Sequence, residues 1–226
     1  MAIKKERLDK ISTANAPIVG VAISIMPLGN THTGVIYRDA DNHVLFLHLE
    51  FHLRLKNTNF DTSYLCADPC LETEDAEAVA GYCRLLANGI APIQFAIHYN
   101  TIGRFVKRKE QVVLTKEGKG LNCSTFVMTI FNSAGNPLID FERWPKRPTD
   151  IIWHQKLIAF LKSEGATLNH IKKVAKDIGC ARVRPEEVVG ACLEAPAFKV
   201  PFLQCEMNGD YVVEEIEKHT KRNKVW

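Results

Sequence analysis

From Cys123 the chain places apolar residues at three- and four-residue steps, Phe126, Val127, Ile130, Phe131 and Ala134, and then reaches Gly135. That spacing predicts an amphipathic helix buried along one face and stopped by the glycine. Upstream the period changes to two. Between Asn30 and Leu55 a β-branched run, Thr33 to Tyr37, is followed by an Asp/Asn-rich stretch and then by alternation from Val44 onward, which is the pattern of a β-hairpin. In the second strand Leu45, Leu47, Leu49, Phe51 and Leu53 share one face, and Phe46, His48, Glu50, His52 and Arg54 share the other, because strand side chains alternate. His32 opens the first strand. A turn over Asp39 to Asp41, with Arg38 facing Asn42, sets His32 opposite His48; a turn that takes in His43, with Arg38 facing Val44, sets it opposite Glu50.

Elsewhere the pattern predicts a buried first strand in the IVGVAISI run, a helix from Glu74 to Asn88 and a further sheet strand from Ile93 to Tyr99. Asn136 to Arg147, with two prolines, reads as a loop that packs Trp144 near the core. The remainder turns helical. Thr149 is placed to cap a helix from Asp150 to about Ser163 with Ile151, Ile152, Leu157, Ile158 and Leu161 inward, and Gly165 ends it. Thr167 to Ile178 ends at Gly179, Pro185 opens another helix, and Asp210 to about Lys221 forms the last. The expected class is therefore α+β, an antiparallel sheet packed on the cysteine-bearing helix. Two units are expected, a catalytic domain over 1–148 and a helical C-terminal subdomain over 149–226.

The chemistry lies where these elements meet. A thiol on the first turn of a helix faces unpaired backbone N–H groups, which favour the thiolate and draw its pKa down from about 8.5. A core cysteine is the competing reading, since free cysteine is among the most buried residue types. A cysteine nucleophile, a histidine base and a polar group that orients the histidine need only meet in space, and Cys123, His32 and the polar face of the second strand are the candidates. Asn122 is of the N-cap type and also an oxyanion-hole candidate, although the backbone N–H of Cys123 is better aimed at developing negative charge.

The order of these residues, HTGVIY at a strand start, a second strand, and much later NCSTFV at a helix start, resembles the circularly permuted papain-like superfamily that contains the permuted NlpC-type peptidases and the lecithin:retinol acyltransferase-like proteins. The resemblance covers roughly residues 17 to 135. It implies Cys123 as nucleophile, His32 as base and His48 as orienting residue, with Glu50 and His52 as alternatives to His48. It further implies that the sheet is of circularly permuted papain-like type, to which the helical C-terminal part is an extension. The implied activity is that of a cysteine-dependent hydrolase, a peptidase or amidase that forms a thioester, with a peptide, amide or acyl-ester substrate and no cofactor. A thiol acyltransferase or phospholipase of the lecithin:retinol acyltransferase type is the alternative, and a non-catalytic binding module on the same fold is a second one. The chain departs from the compact acyltransferase pattern in its longer hairpin and in the long span before the cysteine. The segment from Cys66 to Tyr99 within that span is expected to border the substrate cleft.

Composition narrows the setting. At 226 residues, 46% hydrophobic and 24% charged, the chain supports a sizeable core, and a net charge of +3 does not call for a nucleic-acid partner. Seven cysteines, an odd number in a chain of this size, favour a reducing, cytoplasmic setting with unconventional export left open. Cys66, Cys70 and Cys83 lack the second paired motif of a zinc finger, so no metal is expected. Cys180, Cys192 and Cys205 read as structural, His98 as a satisfied structural residue, and His154, His170 and His219 as surface or boundary residues. Lys4, Lys5 and Arg7 ahead of an apolar run superficially match a signal peptide, but Asp9 and the flanking prolines favour a buried strand. No stretch reaches the roughly 20 apolar residues of a membrane span, and the oligomeric state is left open.

Overall fold

A computed structural model describes residues 8–26, 29–89, 92–99, 106–108, 111–113, 119–194 and 199–223. Six strands form one antiparallel sheet: β1 (Leu8–Asp9), β2 (Val19–Ile25), β3 (Thr31–Arg38), β4 (Val44–Phe51), β5 (Arg54–Asn59) and β6 (Leu65–Ala67), in the order β1-β6-β2-β3-β4-β5. The β-branched run of β2 sits inside the sheet between β6 and β3, where Val19, Val21, Ala22 and Ile23 are buried. One face, with Val21, Ile23, Val35, Tyr37, Leu47 and Leu49, carries the main core. Helices α1 (Thr73–Gly89) and α2 (Cys123–Ser133) close it, with Val79, Cys83 and Leu86 from α1 and Phe126, Val127, Ile130 and Phe131 from α2. The opposite face holds a smaller cluster of Ala16, Ala22, Ile36, Val44, Phe46, Phe60 and Cys66. The expected polar side of β4 is thus apolar at Phe46 and opens to water only toward Glu50.

Four more helices follow: α3 (Asp150–Ser163), α4 (Leu168–Val174), α5 (Pro185–Cys192) and α6 (Phe202–Asn223). Helix α5 packs against β2, β3 and α2, and its Val188, Val189 and Cys192 join the same core as the sheet. A short hairpin, β7 (Val106–Arg108) with β8 (Gln111–Val113), stands outside the six-stranded sheet. Lys4, Lys5, Arg7 and the end of the first apolar run, Pro27 and Leu28, lie outside the described residues. No helix among the described residues is long and apolar enough to cross a membrane.

The helix from Cys123 and the helix expected from Glu74 to Asn88 form as the spacing predicts, and Trp144 is buried in its loop. Several expectations are corrected. The second hairpin strand stops at Phe51, because His52 and Leu53 make a tight turn, with Leu53 at φ +60 and exposed, and β5 returns along β4. Ile93 to Tyr99 is not a sheet strand. Its apolar residues are buried, but among the described residues its one ladder contact is an isolated parallel bridge between Phe95 and Leu121; β-branched and aromatic content signals burial as much as sheet.

Helix α3 turns Asp150, His154, Leu157 and Leu161 inward and leaves Ile151 and Ile152 exposed. The cause is charge. Asp150 pairs with Arg147 at 3.0 Å, Arg182 at 3.3 Å and Arg184 at 3.0 Å, which draws the carboxylate inside. Thr149 makes no side-chain cap and instead accepts from Arg184. His154 and His170 are fully buried rather than at the boundary. Helix α6 begins at Phe202, eight residues before the expected start, and passes through Gly209, beside which Gly190 of α5 packs so closely that a Cβ there would lie 2.8 Å from the Gly209 nitrogen. Gly209 serves a close helix crossing.

Candidate active site

The start of α2 is fixed from both sides of the chain. Asn122 Oδ1 accepts from the Thr125 N–H at 3.0 Å, and Thr125 Oγ1 accepts from the Asn122 N–H at 2.8 Å, a reciprocal capping box that satisfies two end donors. One residue earlier, the Leu121 N–H donates to the Gln94 carbonyl at 2.9 Å and the Ala96 N–H donates to the Leu121 carbonyl at 3.1 Å. Gly120 permits this approach, since a Cβ would fall 2.0 Å from the Gln94 oxygen. Asn122 Nδ2 reaches the Ala96 carbonyl at 3.5 Å. Both polar ends of the Asn122 side chain therefore hold the helix start.

The histidines come together on the other face of the hairpin. Arg38 pairs with Val44 and Val35 with Leu47, so the turn includes His43, and the register continued outward would set Glu50 opposite His32. The side chains choose a diagonal partner instead: His32 Nε2 and His48 Nδ1 are 2.8 Å apart, with the rings edge to face at 4.9 Å. Gly34 allows it. A Cβ at that position would lie 2.5 Å from the His48 Cβ and 2.8 Å from the Leu47 carbonyl. Phe46 stacks on His48 at 4.5 Å and fixes the ring. Glu50 is turned outward to Arg54 at 3.7 Å and Lys56 at 3.9 Å. His52 leaves this face at the turn and accepts from the Phe95 N–H.

Burial, and then the neighbouring His48, pushes the His32 pKa from 6.5 down to about 3. His48 is lowered to about 4, chiefly by burial, with Glu50 opposing and Lys56 assisting. Both imidazoles are neutral near pH 7, one donating and the other accepting. Nδ1 of His32 makes no hydrogen bond among the described residues.

Cys123 is half-buried beside Thr33, the neighbour of His32, and the Thr33 N–H supports the charged form of its sulfur, as do the Ser124 backbone and hydroxyl. Arg182 adds a favourable positive charge. Burial nevertheless outweighs these groups and holds the thiol above its ordinary pKa. This corrects the expectation of a thiol pKa lowered by the helix start: desolvation is larger than the stabilisation the helix start and its neighbours provide. No hydrogen bond joins His32 to the sulfur among the described residues. The thiol of Cys123 and the imidazoles of His32 and His48 are thus all held neutral.

Arg182 and Gly34 escaped the sequence reading. The Arg182 guanidinium lies 3.8 Å over the Trp153 ring and bonds Asp150, and no spacing in the chain links it to Cys123 nearly 60 residues away. Gly34 is legible only as the glycine of the HTGVIY strand start. Beside them Thr31 Oγ1 donates to Glu186 Oε2 at 2.7 Å, tying the start of β3 to α5. Cys66 packs in the smaller core and Cys83 in the larger. Compared with known proteins, the chain matches no family model, no curated protein and no solved structure.

Proposed function

We propose that the protein is a cysteine-dependent hydrolase of circularly permuted papain-like type, acting on an amide or ester through a thioester at Cys123. The observation that carries the reading is the 2.8 Å bond between His32 Nε2 and His48 Nδ1. It orients one imidazole by another and leaves the opposite nitrogen of His32 unengaged, next in the chain to the residue whose N–H meets Cys123. His32 takes the thiol proton as sulfur attacks the carbonyl, and returns it to the leaving group. His48 orients His32 and shares the charge that forms. The N–H groups at the start of α2 face the developing oxyanion. Because the thiol and the imidazole both rest neutral, proton transfer accompanies attack and no thiolate–imidazolium pair precedes it.

Intact-mass analysis of acid-quenched mixtures with activated acyl esters and peptide amides tests this. An acyl adduct on Cys123, absent from Cys123→Ala, is the expected result. Turnover that survives Cys123→Ala sinks the reading, and so does the absence of any adduct across the panel, which would favour a binding module.

A further inference from the structure

Two buried histidines outside the His32–His48 pair meet at a single residue of the backbone. The Phe95 N–H donates to His52 Nδ1 at 3.2 Å, and the Phe95 carbonyl accepts from His170 Nε2 at 2.9 Å. The rings lie 5.0 Å apart. His52 arrives from the turn after β4 and His170 from α4. In extended chain, successive residues present their polar groups to opposite edges. Phe95 therefore faces the histidines while Gln94 and Ala96 face Leu121, the residue that leads into Asn122 and Cys123.

We propose that His52 and His170 are positioning residues for Cys123, since by holding both polar groups of Phe95 they fix the strip from which the start of α2 is hung. The proposal rests on Cys123 being the nucleophile. Without this clamp the buried Phe95 groups lose their partners, at the full desolvation cost of each, and the strip is free to shift. A shift moves Asn122, which is bonded to Ala96, and carries the sulfur away from the Thr33 N–H. Neither histidine touches the reacting atoms.

The test measures amide exchange at Phe95, Ala96 and Leu121 together with the rate at which iodoacetamide alkylates Cys123. His52→Ala and His170→Ala are compared with His52→Asn, which puts an oxygen where Nδ1 accepts, and His170→Gln, which puts an amide nitrogen where Nε2 donates. The alanine variants are expected to exchange these amides about tenfold faster or more, while the Ile130 amide stays protected. They are expected to slow Cys123 alkylation about fivefold or more relative to Cys180, and the amide variants to restore both. Faster exchange with an unchanged or raised Cys123 rate overturns the proposal, because the histidines then only stabilise the loop or mask the thiol. If the alanine variants do not fold, the amide variants decide: wild-type Cys123 rates uphold the clamp and altered ones overturn it. Failure of the nucleophile reading is separate, and shows as a wild-type Cys123 rate indifferent to His32→Ala.

Discussion

Two pairs of histidines, similar in spacing, are put to opposite uses. His32 and His48 have ring centroids 4.9 Å apart and His52 and His170 5.0 Å apart, and His48 and His52 come from one short stretch of chain. The first pair bonds to itself and spares a nitrogen; the second spends its bonds on the backbone of Phe95. What separates them is whether a main-chain group lies within reach. A buried N–H or carbonyl must be satisfied, and where irregular chain such as 92–99 brings one near, it claims the imidazole. At the end of the β3–β4 pairing, which stops at Val35 and Leu47, the imidazoles of His32 and His48 bond to each other instead.

Gly34→Ala disturbs the His32–His48 pair most severely. The added Cβ meets the Leu47 carbonyl and the His48 Cβ, and forcing extra volume against backbone costs about 3 kcal/mol, seen as a lowered urea midpoint with loss of Cys123 acylation. Gly81→Ala, in open space on α1, is the control and stabilises by about 0.5–1 kcal/mol. Next in size is the contrast between pairs. His170→Ala unsatisfies the Phe95 carbonyl and is expected to cost about 1–3 kcal/mol, whereas His48→Ala removes a ring that bonds no backbone group among the described residues and leaves the midpoint within about 1 kcal/mol. Equal losses would erase the distinction.

Acid sharpens the comparison further. His32, His48 and His52 all have pKa values lowered on folding, so the unfolded chain binds protons first as pH falls below about 6.5. Their full contribution is present above that pH. It drains as pH drops toward about 3 for His32 and about 4 for His48, at about 1.4 kcal/mol per pH unit for each proton taken up. Urea melts from pH 7.5 to 4.5 are expected to show this decline, and His32→Ala to make it shallower. The smallest effect is at Arg182. Replacing it with glutamine removes a charge that favours the Cys123 thiolate, and moves the alkylation profile of Cys123 to higher pH.

Much of this frame could be read from the residues alone. The period-3.6 run after Cys123 and the period-2 run after Val44 identify the helix and the strand because both bury one face. The site was less legible, for reasons that are local. Continued alternation carried His52 onto the face of His48, since nothing in the residue types announces that Leu53 takes a positive φ. Ile93 to Tyr99 reads as strand because buried irregular chain and sheet select the same side chains. Asp150, a polar residue drawn inward by three arginines, turned α3 away from the face its isoleucines indicate. The diagonal from His32 to His48 depends on a space at Gly34 that becomes visible only with the register.

The most direct test of the central claim is the rate of Cys123 alkylation against pH in the wild-type protein and in His32→Ala. If His32 receives the thiol proton, the wild-type rate near pH 7.5 exceeds that of the variant by about tenfold or more, and the two profiles converge at high pH, where the thiol ionises unaided. Superimposable profiles across the whole range would mean that Cys123 and His32 do not act together.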